Sequence, residues 1–312
     1  MNYLYPAAVL RQLAETLTHE QREKVIIVGS LAAAFSLSQG QGVYTKDVDT
    51  MIAPHAAAII TGEEVANQLM AGKWTLRPDP RWGRPAEENV PADDRPLVRL
   101  HPPGGAAQWF IELMAAPDQT KPPRLKRDFY PISTQQGYFS LVSFGYLALV
   151  QHDAITSEFG IRVATPAMMA MANMLHHPTV HPALISGDDN GRPIKRSNKD
   201  LGRVVTLAIL GGHGETETWA ARWWEGLQAI FPQQAAELAG RAGSGFRQML
   251  SSVEDLEQAL HTANIGLLAG RGVTGSTFKR FAEHVLEVAL KPLEAMPQDQ
   301  NNQTARMSWP AQ

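Results

Sequence analysis

The apolar positions of this chain change period part-way along it. Up to about residue 160 they fall in short runs separated by Gly-, Pro- and Asp-containing turns, and beyond that they recur at helical spacing. Short runs predict buried strands, and the longer period predicts helices that bury one face. Pro6 to Gln21 reads as an amphipathic helix, with Ala8, Leu10, Leu13 and Leu17 on one face. Lys24 to Val28 predicts a strand, Leu31 to Ser38 a small-residue helix, and Thr45 to Ala53 a second strand. Pro54 to Gly72 predicts a helix interrupted near Thr61-Gly62. Trp74 to Leu76 and Leu97 to Leu100 predict a hairpin with a long, mobile connection over Pro78 to Arg95. Gln108 to Met114 predicts a further strand, and Gly137 to Val150 a last strand or pair.

In the second half, Thr165-Pro166 predicts a helix start with Thr165 as N-cap. Ala167 to His176 has the Ala- and Met-rich composition of a buried helix. Asn198 to Leu210, Glu217 to Ala229, Gln233 to Gly240, Phe246 to Ala263 and Ser276 to Ala295 follow as helices, with glycines supplying the turns. The class predicted is α+β: a mixed β-sheet flanked by helices over residues 1–160, then a mainly helical domain over 161–295. Residues 296–312 are polar and predict a disordered tail.

Composition narrows the function classes. The chain has 312 residues, 44% hydrophobic and 19% charged, as in an ordinary globular protein. Its 28 Lys and Arg against 31 Asp and Glu give a net charge of −3, so any nucleic-acid contact must rest on a local patch. The absence of cysteine excludes disulfides, thiolate metal sites and Cys nucleophiles, and agrees with a cytoplasmic location. Arg11, Glu15 and Glu20 break any leader-like pattern, and no uncharged apolar run approaches the ~18 residues of a membrane span.

The candidate chemistry lies in the first half. The strand Val25-Ile-Ile-Val28 runs into Gly29-Ser30 and a helix, where free N–H groups and the positive dipole end suit phosphate. The next strand carries Asp47 and Asp49, which point to one side because strand residues alternate. Glu112 is the one charge inside Trp109-Phe-Ile-Glu-Leu-Met114. An ionised carboxylate is seldom buried without a partner or a metal. Singly, each feature has a plainer reading: Asp-x-Asp as a solvated edge, Gly-Ser as a turn, and Glu112 as an outward residue on an edge strand. Their order is what carries the functional one.

That order resembles the DNA polymerase β-type nucleotidyltransferase superfamily. Asp47 falls 17 positions after Ser30 (47 − 30), the extra length lying in Gln39 to Thr45. With Thr165-Pro166 and the later Lys195-Arg-Ser-Asn-Lys199-Asp-Leu201, the chain looks like the abortive-infection type nucleotidyltransferase toxins and their uncharacterised relatives. The resemblance covers about residues 20–215. It implies a metal-dependent enzyme moving a nucleoside monophosphate from an NTP to an acceptor hydroxyl, with release of pyrophosphate. Asp47, Asp49 and Glu112 would hold Mg²⁺ or Mn²⁺ and catalyse transfer. Gly29 and Ser30 would cradle the phosphates, with Lys195, Arg196 or Lys199 supplying a cation. The acceptor implied is RNA, a protein or a small molecule, with a cognate antitoxin protein as a further partner. The chain departs from the family at Asn173, where a lysine is expected, and at Gly29-Ser30, where Gly-Gly is common. These departures suit the alternative of a catalytically degenerate domain that binds nucleotide or a partner protein.

Other motifs carry less. His176, His177 and His181 lack a carboxylate at ligand spacing. Gly240 to Gly245 and Gly270 to Ser276 read as turns, and Trp219, Trp223 and Trp224 as packing anchors.

Overall fold

The computed structural model describes residues 2–38, 40–78, 83–104, 109–185 and 193–297. Gln39, Gln108 and Arg192, and the predicted tail from residue 298 on, lie outside them. The chain forms two compact units, Met1–Met169 and Ala170–Gln312. Among the described residues no helix is long and apolar enough to cross a membrane.

The first unit is mixed α/β. In order it contains β1 (Asn2–Leu4), α1 (Pro6–Thr16), α2 (His19–Lys24), β2 (Val25–Ile27), α3 (Gly29–Leu37), β3 (Val43–Thr45), β4 (Asp47–Ile52) and α4 (His55–Ala71). There follow β5 (Thr75–Leu76), β6 (Arg99–His101), β7 (Phe110–Ala115), β8 (Asp128–Thr134), β9 (Gly137–Ser143), a 3₁₀ turn (Gly145–Gln151), β10 (Ile155–Thr156) and β11 (Arg162–Val163). The main sheet has the order β10-β11-β2-β4-β7-β6-β5, with β9 also on β7 and β8 on β9. β4 runs antiparallel to β2 and parallel to β7, and β6 runs antiparallel to β7. Its core is mainly apolar: Val25, Ile26, Val48, Met51, Ile52, Leu113 and Leu141 are fully buried, with Thr50 and Ser140 buried beside them.

Several expectations shift for local reasons. The predicted Pro6–Gln21 helix breaks after Thr16, because Thr18 starts α2 with a reciprocal capping box to Gln21. The predicted Thr45–Ala53 strand is two, since β3 pairs with β1 while β4 joins the main sheet. α4 runs unbroken through Thr61-Gly62. Gly62 is there for space: a Cβ would lie 2.6 Å from Leu141 Cδ1 on β9. The hairpin of β5 and β6 forms, but the described part of its connection is pinned. Ala86 bridges to Tyr138, and the Arg95 guanidinium donates to the Val90 and Glu88 carbonyls. Of the predicted last strand or pair over Gly137 to Val150, only β9 forms; its hairpin partner β8 precedes that stretch, β10 and β11 follow it, and Leu147 to His152 falls in the 3₁₀ turn and its cap.

The boundary between units lies within α5 (Pro166–His176), whose residues Met168, Met171 and Met174 are buried as its composition predicts. The Thr165 hydroxyl makes no cap bond; only its carbonyl serves, accepting from Met169. The second unit continues with α6 (Arg196–Glu217), α7 (Trp219–Ile230), α8 (Ala235–Arg241), α9 (Ser244–Ser251), α10 (Val253–Ile265) and α11 (Gly275–Val285), the last extended by a π-helical turn (Leu286–Leu290). As predicted, the glycines after Leu210 interrupt the helix: the backbone leaves helical geometry at Gly212 (φ 73°, ψ −175°), and a second helical stretch follows it to Glu217. The predicted Phe246–Ala263 helix splits at Ser252, whose hydroxyl accepts from the Asp255 N–H and caps α10. Trp219 and Trp223 are buried together, as packing anchors.

Candidate active site

Three adjacent strands build one polar row on the sheet. Parallel pairing sets Asp49 of β4 beside Glu112 of β7, and antiparallel pairing sets Arg99 of β6 beside Glu112. Residues paired across strands project to the same face. β4 buries Val48 and Thr50 on one side and leaves Asp47 exposed and Asp49 half-buried on the other. The alternation that predicted a shared carboxylate face is therefore present in the strand itself.

Gly29 locks Asp49 to the start of α3. Its φ is +71°, and a Cβ there would stand 2.7 Å from Asp49 Oδ2, so only glycine lets this carboxylate lie against the backbone. The Val28 N–H donates to the Asp49 carbonyl at 2.9 Å, stitching the same junction. The first turn of α3 has no side-chain cap and no acidic residue, and Ser30 is half-buried there. Asp47, two residues from Asp49, accepts a 2.8 Å hydrogen bond from the Thr45 hydroxyl.

Glu112 is ion-paired with the Arg99 guanidinium, with its side chain 15% exposed. Among the described residues no three His, Cys, Asp or Glu side chains close into a metal-binding group. The row brings Asp49 and Glu112 to one face, but Glu112 leans on Arg99. As donors, three carboxylates fit a hard divalent cation such as Mg²⁺ or Mn²⁺. Asp47 already accepts from the Thr45 hydroxyl, and Glu112 would have to share itself with Arg99.

The basic run lies in the second unit. Lys195 is the N-cap residue of α6, and its Nζ donates to Asp255 Oδ1 at 2.6 Å; that bond raises its pKa. Its backbone N–H donates to Gln258. Lys195 is thus tied into α10 rather than standing as a spare cation. Arg196 is half-buried and Lys199 exposed. Asp200 accepts from His177 Nε2 at 2.8 Å. Burial would raise the Asp200 pKa, but His177, Arg203 and Lys199 outweigh it and hold the carboxyl at about 2. Asn173 is half-buried.

Arg77 and Arg99, both close to the Phe110 ring, are the neighbours that sequence reasoning missed. Their guanidinium carbons lie 4.2 and 6.0 Å from the Phe110 ring centroid. The signal existed in Leu97-Val-Arg99-Leu100, a lone charge in an apolar strand like Glu112. No protein-family model matches this chain, and no curated protein shows a significant match to it.

Proposed function

We propose that the chain is a metal-dependent nucleotidyltransferase, moving a nucleoside monophosphate from an NTP to an acceptor hydroxyl and releasing pyrophosphate. The observation that carries the reading is the Asp49 carboxylate, seated on Gly29 at the start of α3 and in register with Glu112. Phosphate-suited amides and hard carboxylate donors stand together there. Asp47 and Asp49 would hold Mg²⁺ or Mn²⁺. Such an ion, when bound, neutralises phosphate charge and lowers the pKa of a hydroxyl beside it. Ser30 would donate to a phosphate oxygen through its hydroxyl and N–H, and Gly29 lets that phosphate approach the backbone. Glu112, oriented by Arg99, would accept the acceptor hydroxyl proton at a carboxylate oxygen as the new P–O bond forms and the bond to pyrophosphate breaks.

One observation favours a second reading, a nucleotide-binding domain without catalysis: Arg99 already engages Glu112. Incubation with each α-labelled NTP, Mg²⁺ and total cellular RNA or protein separates the two. Label transfer is expected, and Asp47→Asn with Asp49→Asn should abolish it. Transfer undiminished in the double variant would sink the two-carboxylate mechanism, and Mg²⁺-dependent nucleotide binding with no transfer to any acceptor would favour the second reading.

A further inference from the structure

We propose that His213, His284 and Glu217, all in the second unit, form a binding site for a divalent transition-metal ion of the zinc class. His213 Nδ1 lies 3.0 Å from His284 Nε2, where α6 packs on α11. Two Zn–N bonds of ~2.0–2.1 Å at a tetrahedral angle hold their nitrogens about 3.3 Å apart, so a small opening of the pair admits the ion. The Thr216 hydroxyl lies 2.9 Å from the same His284 nitrogen and donates to the His213 carbonyl, also at 2.9 Å. An imidazole nitrogen offers either one N–H or one lone pair, so His284 Nε2 cannot fully satisfy both the hydroxyl and His213 Nδ1. A cation takes both imidazole lone pairs at once and leaves the hydroxyl to the backbone.

The backbone is bent to make this meeting. Gly212, immediately before His213, has φ 73° and ψ −175°, a region essentially closed to residues with a side chain. A Cβ there would meet nothing within 4 Å, so the glycine serves its conformation rather than a need for room. Backbone strain of this kind collects at ligand clamps. The facing helix is irregular at the matching point. Its π-helical turn begins at Leu286, two residues after His284, and such turns are frequent at functional sites. Phe281 stacks on the His213 ring, with centroids 5.3 Å apart and planes 25° from parallel, and so restrains it. His213 is exposed and His284 half-buried, which lets an ion enter from solvent. Glu217 is exposed on the same helical stretch, four residues after His213 and hence on its face, and its charge acts on His284. Its carboxylate is the group that swings in as third ligand. Two imidazoles and one carboxylate, with water in the fourth position, are a donor set that zinc accepts.

The test titrates Zn²⁺ into the full chain by calorimetry, in excess Mg²⁺ so that carboxylate-only sites are masked. One equivalent should bind and raise the melting temperature. His213→Ala and His284→Ala should each weaken binding about 100-fold, since losing even a partner behind the ligands costs ~10–100-fold. Glu217→Gln, which removes the charge and keeps the shape, should weaken it about tenfold. Should His284→Ala fail to fold, His213→Ala, at an exposed position, decides. The proposal is overturned if the parent chain binds no Zn²⁺ under these conditions, if folded His213→Ala keeps the equivalent at parental affinity, or if Glu217→Gln binds as the parent does.

Discussion

At Gly29 a backbone requirement and a packing requirement coincide. Gly29→Ala would place a residue with a Cβ at φ +71° and push a methyl group into Asp49 Oδ2. The left-handed conformation alone costs about 1–2 kcal/mol. We expect the variant to lose about 1–3 kcal/mol in urea denaturation and to bind Mg²⁺–NTP more weakly, because Asp49 is displaced. Unchanged stability and affinity would mean that this contact does not position Asp49. The carboxylates were legible as residues because period-two alternation and an isolated charge both show within a single window of sequence. The Gly29–Asp49 contact was not, since it depends on where β4 lies against the start of α3. Arg99 shows the same limit. Its lone charge demands a partner, but the register of β6 on β7 decides which partner it finds.

Helices α6 and α11 meet in a histidine pair just past the kink at Gly212. His213 Nδ1 lies 3.0 Å from His284 Nε2, and the Thr216 hydroxyl lies 2.9 Å from that same nitrogen. Burial first, and His213 second, lower the His284 pKa, with Glu217 opposing them. A depressed value means that the unfolded chain binds the proton more readily than the folded one. Stability from this group is therefore complete above the usual histidine pKa of 6.5 and falls as the pH drops below it. Melting temperature should decline from pH 7.5 toward pH 5, and His284→Asn should flatten that decline. An identical slope in the variant would assign the decline to other groups. Apolar period located α6 and α11, and the glycines after Leu210 mark the break at Gly212. The second helical stretch beyond that break, and its histidine contact with α11, were not legible because they depend on packing between distant helices.

On the scale of the whole molecule, the change of period near residue 160 comes shortly before the boundary between units at Met169 and Ala170. That change is a bulk property and survives errors at single elements. The strand order is of another kind. Asp49 and Glu112 are 63 positions apart (112 − 49), yet their strands are direct neighbours. Joining them means closing a long loop, whereas the β8–β9 hairpin and the helices need only local contacts. The carboxylate row should accordingly be a late product of folding. After dilution from denaturant, helical circular dichroism should recover before Mg²⁺–NTP binding does; simultaneous recovery would place the β4–β7 pairing in the first collapse. The same separation bears on synthesis. A growing chain that has emerged through Asp49 but not yet through Glu112 carries half of the site and none of its geometry, so this face can act only after a good part of its unit has left the ribosome.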